Sequence, residues 1–138
     1  MDEVSRRAEE EENKQLVRRW LKLYNDGRDQ QACDIYTDDV VCREAMTPSL
    51  PLRGRDAMLR GALEFRRSEP EYQCHPREVI AEGDRVVMTW DVKMSKAQLE
   101  VLGVFRIHSG KIVELQEYFT GDGYRLFAES EPPVEERN

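Results

Sequence analysis

The stretch from Leu99 to Phe119, LEVLGVFRIHSGKIVELQEYF, constrains this chain more than any other part of it. β-Branched and aromatic residues run up to Ser109-Gly110 and resume beyond it, which is the pattern of two long antiparallel strands joined by a tight turn. Side chains alternate between the two faces of a strand. Leu99, Val101, Gly103, Phe105 and Ile107 therefore share one face of the first strand, and Val113, Leu115, Glu117 and Phe119 one face of the second. The second row sets a carboxylate among apolar neighbours, so Glu117 is the first candidate for chemistry. A hairpin with an apolar face needs another layer to cover it.

The preceding residues supply that layer. The spacing of Leu16, Val17, Trp20, Leu21, Leu23 and Tyr24 predicts a helix from about Asn13, stopped by Asn25-Asp26-Gly27. A short helix from Asp29 to Tyr36 and a turn at Thr37-Asp38-Asp39 lead into a brief strand, Val40 to Glu44, on which Val40, Cys42 and Glu44 share a face. Pro48 and Pro51 make Met46 to Arg53 an extended loop. A third helix opens at Gly54-Arg55-Asp56, carries Met58, Leu59, Ala62, Leu63 and Phe65 on its apolar side, and closes at Ser68-Glu69-Pro70. Strands over about Tyr72–Ala81 and Arg85–Met94, turning at Gly83-Asp84, precede the hairpin. The fold class is α+β: a curved antiparallel sheet wrapped over three N-terminal helices, with a cone-shaped cup between the layers. Residues 13–127 form that domain. Residues 1–12 read as a frayed, acidic helical extension, and residues 128–138, with Pro132-Pro133 and four glutamates, as a disordered acidic tail.

The net charge of -7 says little about partners, because it sits at the ends. Residues 1–12 hold six acidic and two basic side chains and residues 128–138 four and one, and removing these from the 28 acidic and 21 basic groups leaves 18 of each. A neutral body without a basic stripe argues against nucleic acid. No apolar run approaches the roughly 20 residues of a membrane span, and the N-terminal residues lack the apolar core of a signal peptide, so a cytoplasmic location is expected. Cys33, Cys42 and Cys74 fall in no ligand spacing and read as free thiols. His75 and His108 stand apart, so no metal site is expected. No glycine-rich phosphate loop appears, and no cofactor is called for.

The series YTDDVV, LRGRDAM, GDRVVMTW and LGVFRIHSGKIVELQEYF, after a helix and a short helix, resembles the nuclear-transport-factor-2-like superfamily over about residues 13 to 127. Within it the residues are similar to SnoaL-like polyketide cyclases and limonene epoxide hydrolases, and FR followed by GKIVE and EYF fits both branches. The resemblance implies a catalytic carboxylate at Glu117, where both branches place an aspartate two residues before an aromatic. It implies a second carboxylate at Asp91, matching the aspartate of an Arg-x-Asp whose arginine position is Thr89. Cys42 and Glu44 stand where the epoxide hydrolases hold water with a tyrosine and an asparagine. Ketosteroid isomerases, a more distant branch, place their base where Glu44 falls; their oxyanion donors correspond to Trp20 and Gly103. Fold alone does not establish chemistry.

If Glu44, Asp91 and Glu117 all face the cup, an apolar wall and like charges hold one carboxyl protonated as an acid while another acts as base. Such a set moves a proton beside a carbonyl, closes a ring or opens an epoxide. Trp20, Tyr24, Phe65, Trp90, Leu99, Val101, Phe105 and Phe119 are the expected lining for a hydrophobic small-molecule substrate. Each carboxylate also has a structural reading. Glu117 can pair with Arg106 across the hairpin, and Glu44 can be an exposed edge-strand residue. Asp91 shares its strand with a more apolar row, Val86, Met88, Trp90, Val92 and Met94; if that row faces the helices, Asp91 lies outside, paired with Lys93. If that row is exposed it needs cover, which makes a homodimer through the sheet face the expected assembly. Three functions follow: a SnoaL-like cyclase or isomerase, an epoxide-opening enzyme in which Asp91 and Glu117 share one site, and a binding or dimerisation module whose cup is filled by Trp20, Trp90 and Phe105.

Overall fold

In the computed structural model, which describes residues 1–44 and 50–120, the first helix begins well before its apolar spacing does. The Asp2 side chain accepts the Ser5 N–H at 2.7 Å, satisfying one of the donors a helix start leaves unpaired, and α1 runs unbroken over Glu3–Asn25. Its early turns are tethered where Glu10 accepts the Gly83 N–H at 2.6 Å. Beyond Asn13 it buries Val17, Trp20, Leu21 and Leu23, and Gly27, at φ 79°, takes the chain out of the helix.

α2 (Asp29–Cys33) is shorter than the expected helix, because Tyr36 already belongs to β1 (Tyr36–Glu44). Thr37-Asp38-Asp39 are thus strand residues and not a turn. The Arg55 side chain explains this: it donates to the Tyr36 carbonyl at 2.7 and 3.2 Å and meets Asp38 at 3.0 Å, holding that backbone extended. Next come β2 (Leu52–Arg53), α3 (Arg55–Ser68), β3 (Gln73–Glu82), β4 (Arg85–Lys93), β5 (Gln98–His108) and β6 (Lys111–Thr120). Part of the loop expected over residues 46–53, residues 121–127 of the expected domain, and all of the expected tail lie outside the described residues.

The six strands form one curved, unclosed sheet in the order β2-β1-β6-β5-β4-β3. Its pairs are antiparallel except β1 with β6, so the sheet is mixed where an antiparallel one was expected. A long crossover and not a hairpin links those two strands, which is what parallel pairing requires. The β5–β6 turn falls at Ser109-Gly110 as the sequence predicts, with φ of 50° and 73°, the left-handed pair of a two-residue hairpin turn.

Two register breaks decide which side chains face the helices. On β6, Ile112 pairs with Ile107 and Glu114 with Arg106, leaving Val113 unmatched. This bulge corrects the expected row: Ile112, Leu115 and Phe119 are buried, and Val113 is not. On β3, Arg77 is the unmatched residue. On β4, Val86, Met88, Trp90 and Val92 are all buried against the helices. This leaves Asp91 on the outer face and removes the exposed apolar row from which a homodimer was expected. Among the described residues no helix is long and apolar enough to cross a membrane.

Candidate active site

The two carboxylates that share the inner face come from the parallel pair. Glu44 ends β1 and stands in register with Glu117 of β6. Neighbouring strands lie about 4.8 Å apart, so these side chains rise from adjacent backbones into the same space. Both are half-buried. Cys42, two residues before Glu44 and 4% exposed, reaches diagonally to Glu117, its Sγ 3.6 Å from Oε1.

Across β6 from Glu117 the partner in register is Gly103. A Cβ there would lie 2.8 Å from Phe105 Cε1 and 2.9 Å from two atoms of Trp90, so the rings of Trp90 and Phe105 occupy the room a side chain would take. Glu117 thus has an apolar neighbour on one side and Glu44 on the other. Trp20 meets both rings edge-on, at 5.7 Å from Trp90 and 5.0 Å from Phe105 between centroids. These rings fill the middle of the space between helices and sheet.

The sheet's curvature brings β3 back toward this end. Burial and, secondly, the charge of Glu117 push the Cys74 thiol up to about 12. At neutral pH it is therefore a protonated thiol and no nucleophile. A buried chain of donors lies behind: Trp20 Nε1 donates to Tyr36 Oη at 2.8 Å, Tyr36 Oη and Tyr24 Oη lie 3.1 Å apart, and Tyr24 Oη contacts Cys33 Sγ at 3.4 Å. Burial first, and then neighbouring groups, raise Tyr24 and Tyr36 well above the ordinary tyrosine value, so both remain hydrogen-bonding phenols.

The residues expected as lining belong to the hydrophobic core or pack against it. Trp20, Trp90, Leu99, Val101, Phe105 and Phe119 are buried on the inner side, and Tyr24 and Phe65 pack against them partly covered. Phe65 lies on Tyr72, with centroids 4.7 Å apart. The alternative partner for Glu117 is engaged elsewhere: Arg106 Nε meets Glu114 Oε2 at 3.3 Å on the outer face.

Asp91 is the correction. It pairs in register with Glu100 and His75, and its Oδ1 lies 3.5 Å from Arg77 Nη1, not beside Lys93. It borders a cavity of about 260 Å³ with Arg77, Thr89, Glu100 and Thr120, but that hollow opens on the outer face. Asp91 and Glu117 thus occupy opposite sides of the sheet and cannot share a reaction site. The cause is the alternation of β4, whose more apolar row takes the core.

Sequence reasoning missed three contributors. Cys74 read only as a free thiol, and Cys42 as a free thiol at a position where the epoxide hydrolases hold water; a carboxylate contact from separate strands leaves no mark in sequence. The third is a clamp behind the site: Arg66 on α3 grips the buried Asp29 with two hydrogen bonds of 2.6 and 2.8 Å and donates to the Tyr24 carbonyl and the Tyr72 hydroxyl. Its only sequence signal is a basic residue in the last turn of a helix. Among the described residues no cluster of histidine, cysteine or carboxylate side chains has the arrangement of a metal site.

Comparison with known proteins places this geometry. Residues 17–115 match the model of the SnoaL-like domain. No curated protein sequence matches significantly. Among solved structures, the fold is similar to a SnoaL-like polyketide cyclase assignment from Jannaschia sp. CCS1, at 16% identity over 90% of this chain and 95% of that one, with a TM-score of 0.74. A ketosteroid isomerase-like protein from Kribbella flavida gives 16% identity over 89% and 83%, with a TM-score of 0.74. SalBIII, an epoxide hydrolase/cyclase-like enzyme of pyran ring formation in the polyether salinomycin, gives 17% over 80% and 92%, with a TM-score of 0.70. At such identities the likeness is one of fold. With a family model covering most of the chain and a three-helix, curved-sheet architecture shared with these structures, the chain belongs to the SnoaL-like family and has the nuclear-transport-factor-2-like fold.

Proposed function

We propose that the chain is an acid–base enzyme acting on a hydrophobic small molecule, an isomerase or cyclase in which Glu117 is the base and Glu44 its acidic partner. The observation that carries this is the register of the two carboxylates on the inner face, beside the rings of Trp90 and Phe105. Carboxyls held side by side ionise in two steps, so one retains a proton while the other accepts one. On a β,γ-unsaturated ketone, Glu117 takes the proton between carbonyl and double bond. Glu44 hydrogen-bonds the carbonyl oxygen as charge develops there, and the proton returns to the γ carbon to give the conjugated ketone. In ring closure the same enolate carbon attacks a second carbonyl, a carbon–carbon bond forms, and the new alkoxide takes its proton from Glu44. Neither route needs a group beyond these side chains. Epoxide opening fits the Glu44–Glu117 pair as a variant of this reading; it does not fit an Asp91–Glu117 pair.

The test is Glu117→Gln, assayed with a bicyclic β,γ-unsaturated ketone by the growth of enone absorbance and with a 1,5-diketone by chromatographic detection of the cyclic hydroxy ketone. Loss of about 10²–10⁴-fold in turnover is expected, the usual weight of a positioned proton transfer. Turnover equal to wild type overturns the proposal. A second reading, a ligand-binding module, draws on one observation: Trp20, Trp90 and Phe105 already occupy the middle of the interior. It expects no turnover in the unsubstituted protein.

A homodimer through the outer sheet face is part of the proposal. Ile80, 61% exposed, stands in register with Val87, and Val87 with Val104. An apolar strip across three strands supports a partner on that face.

A further inference from the structure

We infer that Cys42 is a positioning residue for Glu117: its thiol donates to the carboxylate, aims it into the cup and favours the ionised form that proton abstraction needs. The inference rests on the reading of Glu117 as the base. Its foundation is geometric. Cys42 stands opposite Leu115 in register, one step before the Glu44–Glu117 pair, and its Sγ is 3.6 Å from Glu117 Oε1. Diagonal neighbours on one sheet face are within reach of each other. Cys42 is 4% exposed, so the thiol is held in place by packing and is not free to swing into solvent.

The sulfur acts as a donor because a carboxylate beside it disfavours a thiolate. Cys74 shows the same effect from the other side of the cup, its thiol pushed up by burial and by the charge of Glu117. A hydrogen bond to the charged form of an acid favours that form. Cys42 therefore opposes two influences that favour the neutral acid, the apolar rings and the neighbouring Glu44. Among the described residues, the titratable groups around Glu117 include Glu44 and Cys42 from β1 and Cys74 from β3; behind Cys42 stand Tyr36 and then Tyr24 of α1, and behind Cys74 stands Arg66 of α3, gripping Asp29. From β4 and β5 come Trp90 and Gly103.

The experiment follows the Glu117 carboxyl by carbon-13 NMR in protein labelled at glutamate side chains, with Glu117→Gln identifying the signal. Cys42→Val fills the space without a donor, and Cys42→Ser keeps one. Valine is expected to raise the Glu117 midpoint by about one pH unit, about tenfold in its ionisation, and serine to bring it back toward wild type. If valine does not fold, Cys42→Ala takes its place. In the activity assay the acid limb of kcat/KM moves up with the midpoint. An unmoved midpoint in the valine or alanine variant overturns the role of Cys42. A moved midpoint with an unmoved acid limb overturns Glu117 as the base.

Discussion

Cys74 couples the candidate site to alkaline stability. Its thiol is raised from about 9.0 to about 12 in the folded protein, first by burial and then by Glu117. Between those values the unfolded chain has lost this proton and the folded one has kept it. The stabilisation is therefore complete below pH 9 and is lost progressively as pH rises toward 12, by at most about 1.4 kcal/mol per pH unit. Tyr24, Tyr36 and Tyr72 are raised by burial as well and steepen the loss. Urea unfolding at a series of alkaline pH values checks this: Cys74→Ala should give a shallower decline than wild type, and equal slopes would contradict it. At this scale the place of Glu117 on the inner face was legible from an acid set in an apolar row. Asp91 failed because its strand offers two rows, and the decision between them belongs to the core as a whole.

At the scale of elements, the helices are fastened by a few polar contacts as well as by apolar packing. Arg66 joins α3 to Asp29 at the start of α2 and to the last turn of α1, and stacks on Tyr72 at 4.6 Å. Asp29 is 4% exposed, so Arg66→Ala strands a buried carboxylate. A loss of about 3–5 kcal/mol is expected, read from the denaturant midpoint; a change below about 1 kcal/mol, the scale of a surface pair, would mean that the clamp is incidental. Helix and strand identities were legible because periods of 3.6 and 2 leave clear patterns. The bulge at Val113 was not, since one extra residue shifts the row without altering the composition. Nor was the early start of β1: Thr37-Asp38-Asp39 has the chemistry of a turn, and the reach of Arg55 from a later helix, with the pairing of Tyr36 to Ile112, keeps it straight. The continuous α1 had its signal in Asp2, a capping residue ahead of a charged run.

For the whole molecule, the outer face is the open matter of assembly. The strip of Ile80, Val87 and Val104 predicts a dimer at micromolar concentration by analytical ultracentrifugation, with Ile80→Glu shifting it to monomer; a wild-type monomer would remove the proposal. The parallel pairing of β1 with β6 has a further consequence, for synthesis. Cys42 and Glu117 are separated by 75 positions. If Glu44 and Glu117 are the acid–base pair proposed above, a nascent polypeptide carries one of the two, unmated, until β6 has left the ribosome. On that proposal, competence to turn over a substrate arises abruptly with the arrival of β6, and products terminated before it are inert.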